Sequence, residues 1–226
     1  LPNYYDLKNA MITIPLDPAK TPAQNAQYYY KLYNKAQRVQ ETQSRFMKET
    51  QAELNYLESI SQHLSMCSHE GDISEIREEL VREGYMREQP KKRGMKRPSV
   101  PSKPHHFLSS DGLEIFVGKN NTQNDQLTLK TALPNDLWLH TKILQGSHVI
   151  VRNGGKPVPD NTLLEAANLA AYYSKGRSSA NVPVDYCPRK NVRKPGGAKP
   201  GMVIYEKYKT IYVTPAEEMV LAMKRL

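Results

Sequence analysis

Apolar residues recur at steps of mostly three and four along residues 23–64: Tyr29, Leu32, Ala36, Val39, Phe46, Leu54, Leu57, Ile60 and Leu64. Neither Pro nor Gly interrupts this stretch, so the spacing predicts one long helix with its stripe on a single face. Gln43 and Thr50 dilute the stripe at its middle, and Gln, Glu, Lys and Arg fill the remaining positions, as on the solvated back of a coiled coil. Upstream, residues 3–5 and 11–14 read as two short strands around a polar turn at residues 6–9. Pro15, Pro18 and Pro22 then stop both strand and helix. Downstream, Ile73, Ile76 and Leu80 make the stripe of a shorter helix that Asp72 caps and Gly84 ends. A helix of roughly 40 residues is about 60 Å long and cannot bury its seam on the short helix that follows. The stripe calls for a further helix, from a second copy through residues 25–66 or from a preceding part of the same protein. With Leu1 rather than Met at its start, the chain is expected to be an excised piece.

The texture then changes. Residues 89–104, QPKKRGMKRPSVPSKP, hold four Pro, six Lys/Arg and no acid, the composition of a self-repelling linker. Beyond it come short runs rich in Val, Ile and Tyr at residues 113–117, 137–140, 148–151, 202–205 and 210–213, which read as strands. One helix sits among them, capped by Asn161 or Thr162, with Leu163, Leu164, Ala167, Leu169, Ala170 and Ala171 on a face that can lie close on a sheet. A closing helix over residues 216–225 follows Pro215. The expected organisation is a β-hairpin at residues 1–22, coiled-coil helices at 23–88, a basic Pro-rich linker at 89–104 and a compact α+β domain at 105–226.

Charge sharpens this division. Residues 1–90 carry 10 Lys/Arg against 13 Asp/Glu, whereas residues 91–226 carry 22 against 10, a net of +12 within the chain's overall +9. A basic half of this kind fits a polyanionic partner, although the same charge also serves solubility. No apolar run reaches the ~18–20 residues of a membrane span. Cys67 and Cys187 stand 120 residues apart and outside any pair motif, which argues against a disulfide framework or a four-cysteine zinc site and for a reducing, cytoplasmic setting.

Three stretches carry candidate chemistry. Residues 111–121 launch a strand from an Asp-Gly turn and end it at Gly118, leaving Lys119, Asn120 and Asn121 at its tip. The spacing is not that of a phosphate-binding P-loop. Next, Asp136, Trp138 and His140 alternate along one strand face, which the pattern places on the wet side, with Ser147 and His148 close behind. An indole flanked by imidazole and carboxylate can stack on an exposed base and hydrogen-bond its edges. The same residues also admit a purely structural role or a catalytic one, but no third metal ligand and no nucleophile elbow accompany them. Third, Arg189, Lys190, Arg193, Lys194 and Lys199 put five cations in eleven residues on a Gly/Pro-rich loop, with no acid until Glu206. Such a loop can approach and neutralise phosphates.

These stretches together, DGLEIFVGKNNTQND, DLWLH, GSHVIV and VPVDYCPRKNVRKPGGAKPGMVIYEKYKTIYVTP, resemble the C-terminal NFACT-R domain of the NFACT family of ribosome quality-control factors. The upstream NYYD…ITIPLDP and the Tyr-rich helix resemble that family's middle region and coiled coil. The resemblance implies a cytoplasmic RNA-binding module acting at the large ribosomal subunit, with peptidyl-tRNA and aminoacyl-tRNA as partners and a template-free alanine tail on the stalled chain as the outcome. It implies no cofactor, no metal, no membrane and no bond made or broken by this part. As RNA-contact candidates it marks Lys119, Asn120, Asn124, Asp125, Asp136, Trp138, His140, Ser147, His148, Arg193, Lys194 and Lys199. The competing expectation is a surface adhesin that binds fibronectin, a label that some family members carry. A hydrolase built on Asp136, His140 and His148 is a third, without a convincing nucleophile.

Overall fold

The computed structural model describes residues 1–88 and 102–226. Most of the expected linker, residues 89–101, lies outside the described residues. The chain divides into two compact units, Leu1–Ala52 and Glu53–Leu226.

In the first unit the two expected strands reduce to one isolated antiparallel bridge, Pro2 with Met11. The Asp6 carboxylate accepts from the backbone N–H of Lys8 at 3.2 Å and of Ala10 at 3.3 Å, and this local turn competes with a longer ladder. Helix α1 (Pro22–Ser65) begins with a reciprocal cap: the Gln24 amide N–H donates to Thr21 Oγ1 at 3.3 Å, and the Thr21 N–H donates to Gln24 Oε1 at 2.9 Å. Buried Asn25 ties the preceding loop to the helix through Asp17, accepting from its N–H at 2.9 Å and donating to its carbonyl at 3.0 Å.

In the second unit the last turns of α1 pack on α2 (Glu70–Arg82) through Tyr56, Ile60 and Ile76. The N-cap of α2 is His69, not Asp72. Asp72 lies one turn further in, buried, with Lys119 Nζ 3.4 Å away. Beyond this hairpin a seven-stranded antiparallel sheet runs in the order β8-β5-β3-β4-β2-β1-β9. Its strands are β1 (His105–Leu108), β2 (Glu114–Val117), β3 (Leu137–Thr141), β4 (Val149–Arg152), β5 (Val182–Pro188), β8 (Lys209–Val213) and β9 (Lys224–Arg225).

Helix α3 (Asn121–Asp125) follows β2 and continues into a π-helical turn, Gln126–Thr131. Helix α4 (Asp160–Tyr172) lays Ala166, Ala167, Leu169, Ala170 and Ala171 on the sheet, against Ile115, Val117, Leu139, Val149, Val151 and Val184. Its first turn is held from a distance, because Thr162 N–H and Oγ1 both donate to Asp111 Oδ2, at 3.1 and 2.7 Å.

The opposite face is also covered. Leu127, Trp138, Ile150, Cys187 and Val192 form a second apolar cluster under the π-turn and a small hairpin of β6 (Val192–Arg193) and β7 (Ile204–Tyr205). Helix α5 (Glu217–Ala222) ends sooner than expected. The chain extends after it, so that Arg225 pairs with Phe107 of β1.

Candidate functional site

The motif around Gly118 builds the joint between sheet and helices. Asn120 caps α3 by accepting from the Gln123 N–H at 2.8 Å, while its own amide donates to Glu75 Oε2 at 2.7 Å. Asn121 donates to Ser59 Oγ at 2.8 Å, and Thr122 donates through N–H and hydroxyl to fully buried Glu79 at 3.1 and 2.8 Å. Tyr56 donates to the same carboxylate at 3.0 Å. Asn124 Oδ1 accepts from the His148 N–H at 3.0 Å and sits where a side chain on Gly118 would fall.

Four of the cations singled out from the sequence have anionic partners within the chain. Lys119 faces Asp72, Lys194 pairs with Asp125, Lys199 pairs with Glu83 at 3.0 Å, and exposed Arg193 pairs with Glu206 at 2.8 Å. Lys199 also lies over the rings of Tyr56 and Tyr85. Arg189 grips the π-turn, donating to the carbonyls of Thr128 at 2.6 Å and Leu129 at 2.8 Å.

The expectation that Asp136, Trp138 and His140 present a wet face is corrected for Asp136 and Trp138. Trp138 is fully buried and Asp136 nearly so, because the π-turn and the β6–β7 hairpin cover the side of the sheet that alternation had left for solvent. Asn120, Asn124, Ser147 and His148 are buried as well. Asn120, Asn124 and His148 hydrogen-bond within the chain, whereas Asp136 Oδ1 and Trp138 Nε1 have no partner among the described residues.

Of the histidine pair, only His140 is half-buried. β3 and β4 pair antiparallel and bring the two imidazoles to 5.3 Å between centroids. Trp138 lies parallel to His140 at 5.9 Å and edge-on to His148 at 5.3 Å. His140 Nε2 donates to the Gly146 carbonyl at 3.3 Å, and His148 Nδ1 shares a 2.7 Å hydrogen bond with Thr128. Burial lowers the pKa of both rings, that of His148 well below the ordinary value with help from His140 and His63. Both are therefore neutral at neutral pH.

A cleft of about 200 Å³ opens beside this pair, lined by His140, His148, Tyr205, Asn121 and Ser59 and by the connection from Thr141 to Gly146. Tyr205 links this wall to residues that sequence reasoning missed. Lys142 lies 5.2 Å over Tyr208, Tyr208 meets Tyr205 edge-on at 5.1 Å, and Lys207 is exposed beside them. The alternation YEKYK at residues 205–209 was the available signal. Ile143, at the lip, is 90% exposed with φ +68°, a conformation that β-branched residues rarely adopt. Among the described residues, no group of three or more His, Cys, Asp or Glu is placed to hold a metal ion, and no helix is long and apolar enough to cross a membrane.

A sheet domain packs on a helical hairpin and carries a cleft whose wall is more apolar than polar, with tyrosines and lysines nearby. Residues 1–99 match the model for NFACT N-terminal and middle domains, and residues 103–207 match the model for the NFACT protein RNA binding domain. The chain belongs to the NFACT family. It is 45% identical over 99% of its length to the Rqc2 homolog RqcH of Bacillus subtilis, of which it spans 39%. A Drosophila melanogaster protein described as a ribosome quality control complex subunit NEMF homolog is 35% identical over 69 residues, 30% of this chain and 7% of that one. The C-terminal structure of the fibronectin/fibrinogen-binding protein from Streptococcus suis superposes with TM-score 0.80 at 41% identity, covering 92% of this chain and 81% of that one. The chain spans about two fifths of the length of the curated RqcH relatives it matches.

Proposed function

We propose that this chain is the ribosome-directed, RNA-binding part of a cytoplasmic quality-control factor. In this reading the whole protein recognises large subunits obstructed by peptidyl-tRNA and helps recruit aminoacyl-tRNA for alanine tailing of the stalled chain. The observation that carries it is similarity to RqcH along nearly the whole chain, joined to the RNA-binding domain model over residues 103–207. The module acts by binding. Phosphates are met by Lys142, Lys207, Lys209 and Arg193, and by Lys194 and Lys199 where RNA competes with their carboxylates. His140 is the candidate for base contact. Lys119, Asn120, Asn124, Asp125, Asp136, Trp138, Ser147 and His148 contribute by fixing the shape of that surface.

The test is co-sedimentation of the chain with large subunits that carry peptidyl-tRNA, beside empty subunits, across a salt series. Retention on the obstructed particle, weakening steeply as salt rises, is expected. Absence of binding to either particle and to free tRNA at low salt overturns the reading. The name of the S. suis neighbour supports a second reading, adhesion to fibronectin or fibrinogen. Saturable binding to immobilised fibronectin that survives high salt would favour it.

A further inference from the structure

We propose that the cleft beside His140 receives one unstacked nucleobase of a single-stranded RNA, with its phosphates held at the rim by Lys142 and Lys207. The inference rests on the RNA-binding reading and assigns that reading a pocket and an orientation. Size is the first argument. At about 200 Å³ the cleft is below the ~300 Å³ from which pockets for drug-sized ligands begin, and it suits a single planar ring system.

Polarity is the second argument. The imidazoles inside are neutral because they are buried, so the interior exerts no pull on a phosphate. The cations lie beyond the lining, Lys142 over Tyr208, whose ring meets Tyr205 of the wall, and exposed Lys207 next to Tyr208 in the chain. A nucleotide therefore enters base first and leaves its charge at the mouth.

The walls fit the same ligand. Trp138 backs both His140, in parallel, and Tyr205, at 4.8 Å, which leaves two half-buried rings lining the cleft. Flat rings of this kind take any base by stacking, while Gln145 places an amide on the wall beside the Asn121–Ser59 hydrogen bond.

The lip supplies an independent observation. Ile143 holds its apolar side chain in water on a left-handed backbone, an arrangement that persists only where the surroundings impose it. Here Lys142 N–H donates to the Pro183 carbonyl at 2.9 Å, Thr141 Oγ1 donates to the Leu144 carbonyl at 3.0 Å, and Lys175 N–H donates to the Gln145 carbonyl at 2.9 Å. The loop is pinned on both sides of a strained, exposed isoleucine that lines the cleft.

Trp138 is the chain's only tryptophan and sits behind the pocket, so its fluorescence reports occupancy. The experiment titrates the full chain with a single-stranded oligoribonucleotide and with a base-paired RNA duplex, for the parent, Ile143→Gly and Lys142→Ala/Lys207→Ala. Ile143→Gly relieves the backbone and should keep or raise Tm. It should weaken single-strand binding about tenfold, the order expected when one aliphatic side chain loses its buried contact, and leave duplex binding unchanged. The double lysine variant should lower the single-strand salt slope by about 1.4, from two phosphate contacts. Single-strand affinity unaltered in Ile143→Gly, while the parent still binds RNA, overturns the pocket and leaves the RNA reading standing. A parent that binds neither RNA at low salt overturns both.

Discussion

His63 is buried to 2% exposure, and among the described residues neither ring nitrogen has a hydrogen-bond partner. Burial, reinforced by His140, lowers its pKa to about 4, whereas an unfolded chain titrates near 6.5. Between these values the folded ring binds fewer protons than the unfolded one. Its contribution is therefore complete above about pH 6.5 and is lost as pH falls toward 4, a change of about 3 kcal/mol across the window. His105, also lowered to about 4 by burial, and His140 and His148 act in the same direction. Urea unfolding followed from pH 7.5 down to 5 should show stability falling with acid. In His63→Leu the fall should be flatter by up to about 1.4 kcal/mol per pH unit, one proton's worth. Parallel curves for the two proteins would show that His63 is not the group being charged.

At the scale of elements, the junction of α2 with α3 depends on one buried carboxylate. Glu79 receives two donors from Thr122 and one from Tyr56, so Glu79→Gln keeps the volume but turns part of an acceptor into a donor facing donors. A loss of about 1–3 kcal/mol is expected from urea unfolding. Combination with Thr122→Val should cost less than the two single losses added, because they share a partner, and full additivity would sever the link. This junction was illegible beforehand, since GKNNTQND is polar throughout and its meaning lies in Glu75 and Glu79, more than 40 residues away. Strand β5 was hidden by Pro183 and Pro188, residues that ordinarily argue against a central strand. Long α1 was readable because its three- and four-residue period needs no tertiary partner to be seen. The β3 alternation was also read correctly, but no local pattern reveals that a π-turn and a distant hairpin cover the second face. That missing cover is why Trp138 was expected on a wet face.

For the whole molecule, the exposed apolar side chains along α1 set the next prediction. Leu32, Val39, Phe46, Leu54 and Leu57 are each at least 39% exposed, and they belong to the stripe whose spacing calls for a facing helix. Scattered apolar residues on a surface need no explanation, but a periodic row along one helix is a seam. When no other helix is supplied, a second copy of the chain is the available partner, through residues 25–66. Sedimentation equilibrium should then give a mass that climbs above 25.7 kDa as concentration rises into the high micromolar range. Leu32→Asp/Phe46→Asp should return it to the monomer value while leaving the far-ultraviolet spectrum of the sheet domain intact. A mass fixed at the monomer value throughout would mean that these side chains stay solvated in the isolated chain, and that the seam is reserved for a helix of different sequence.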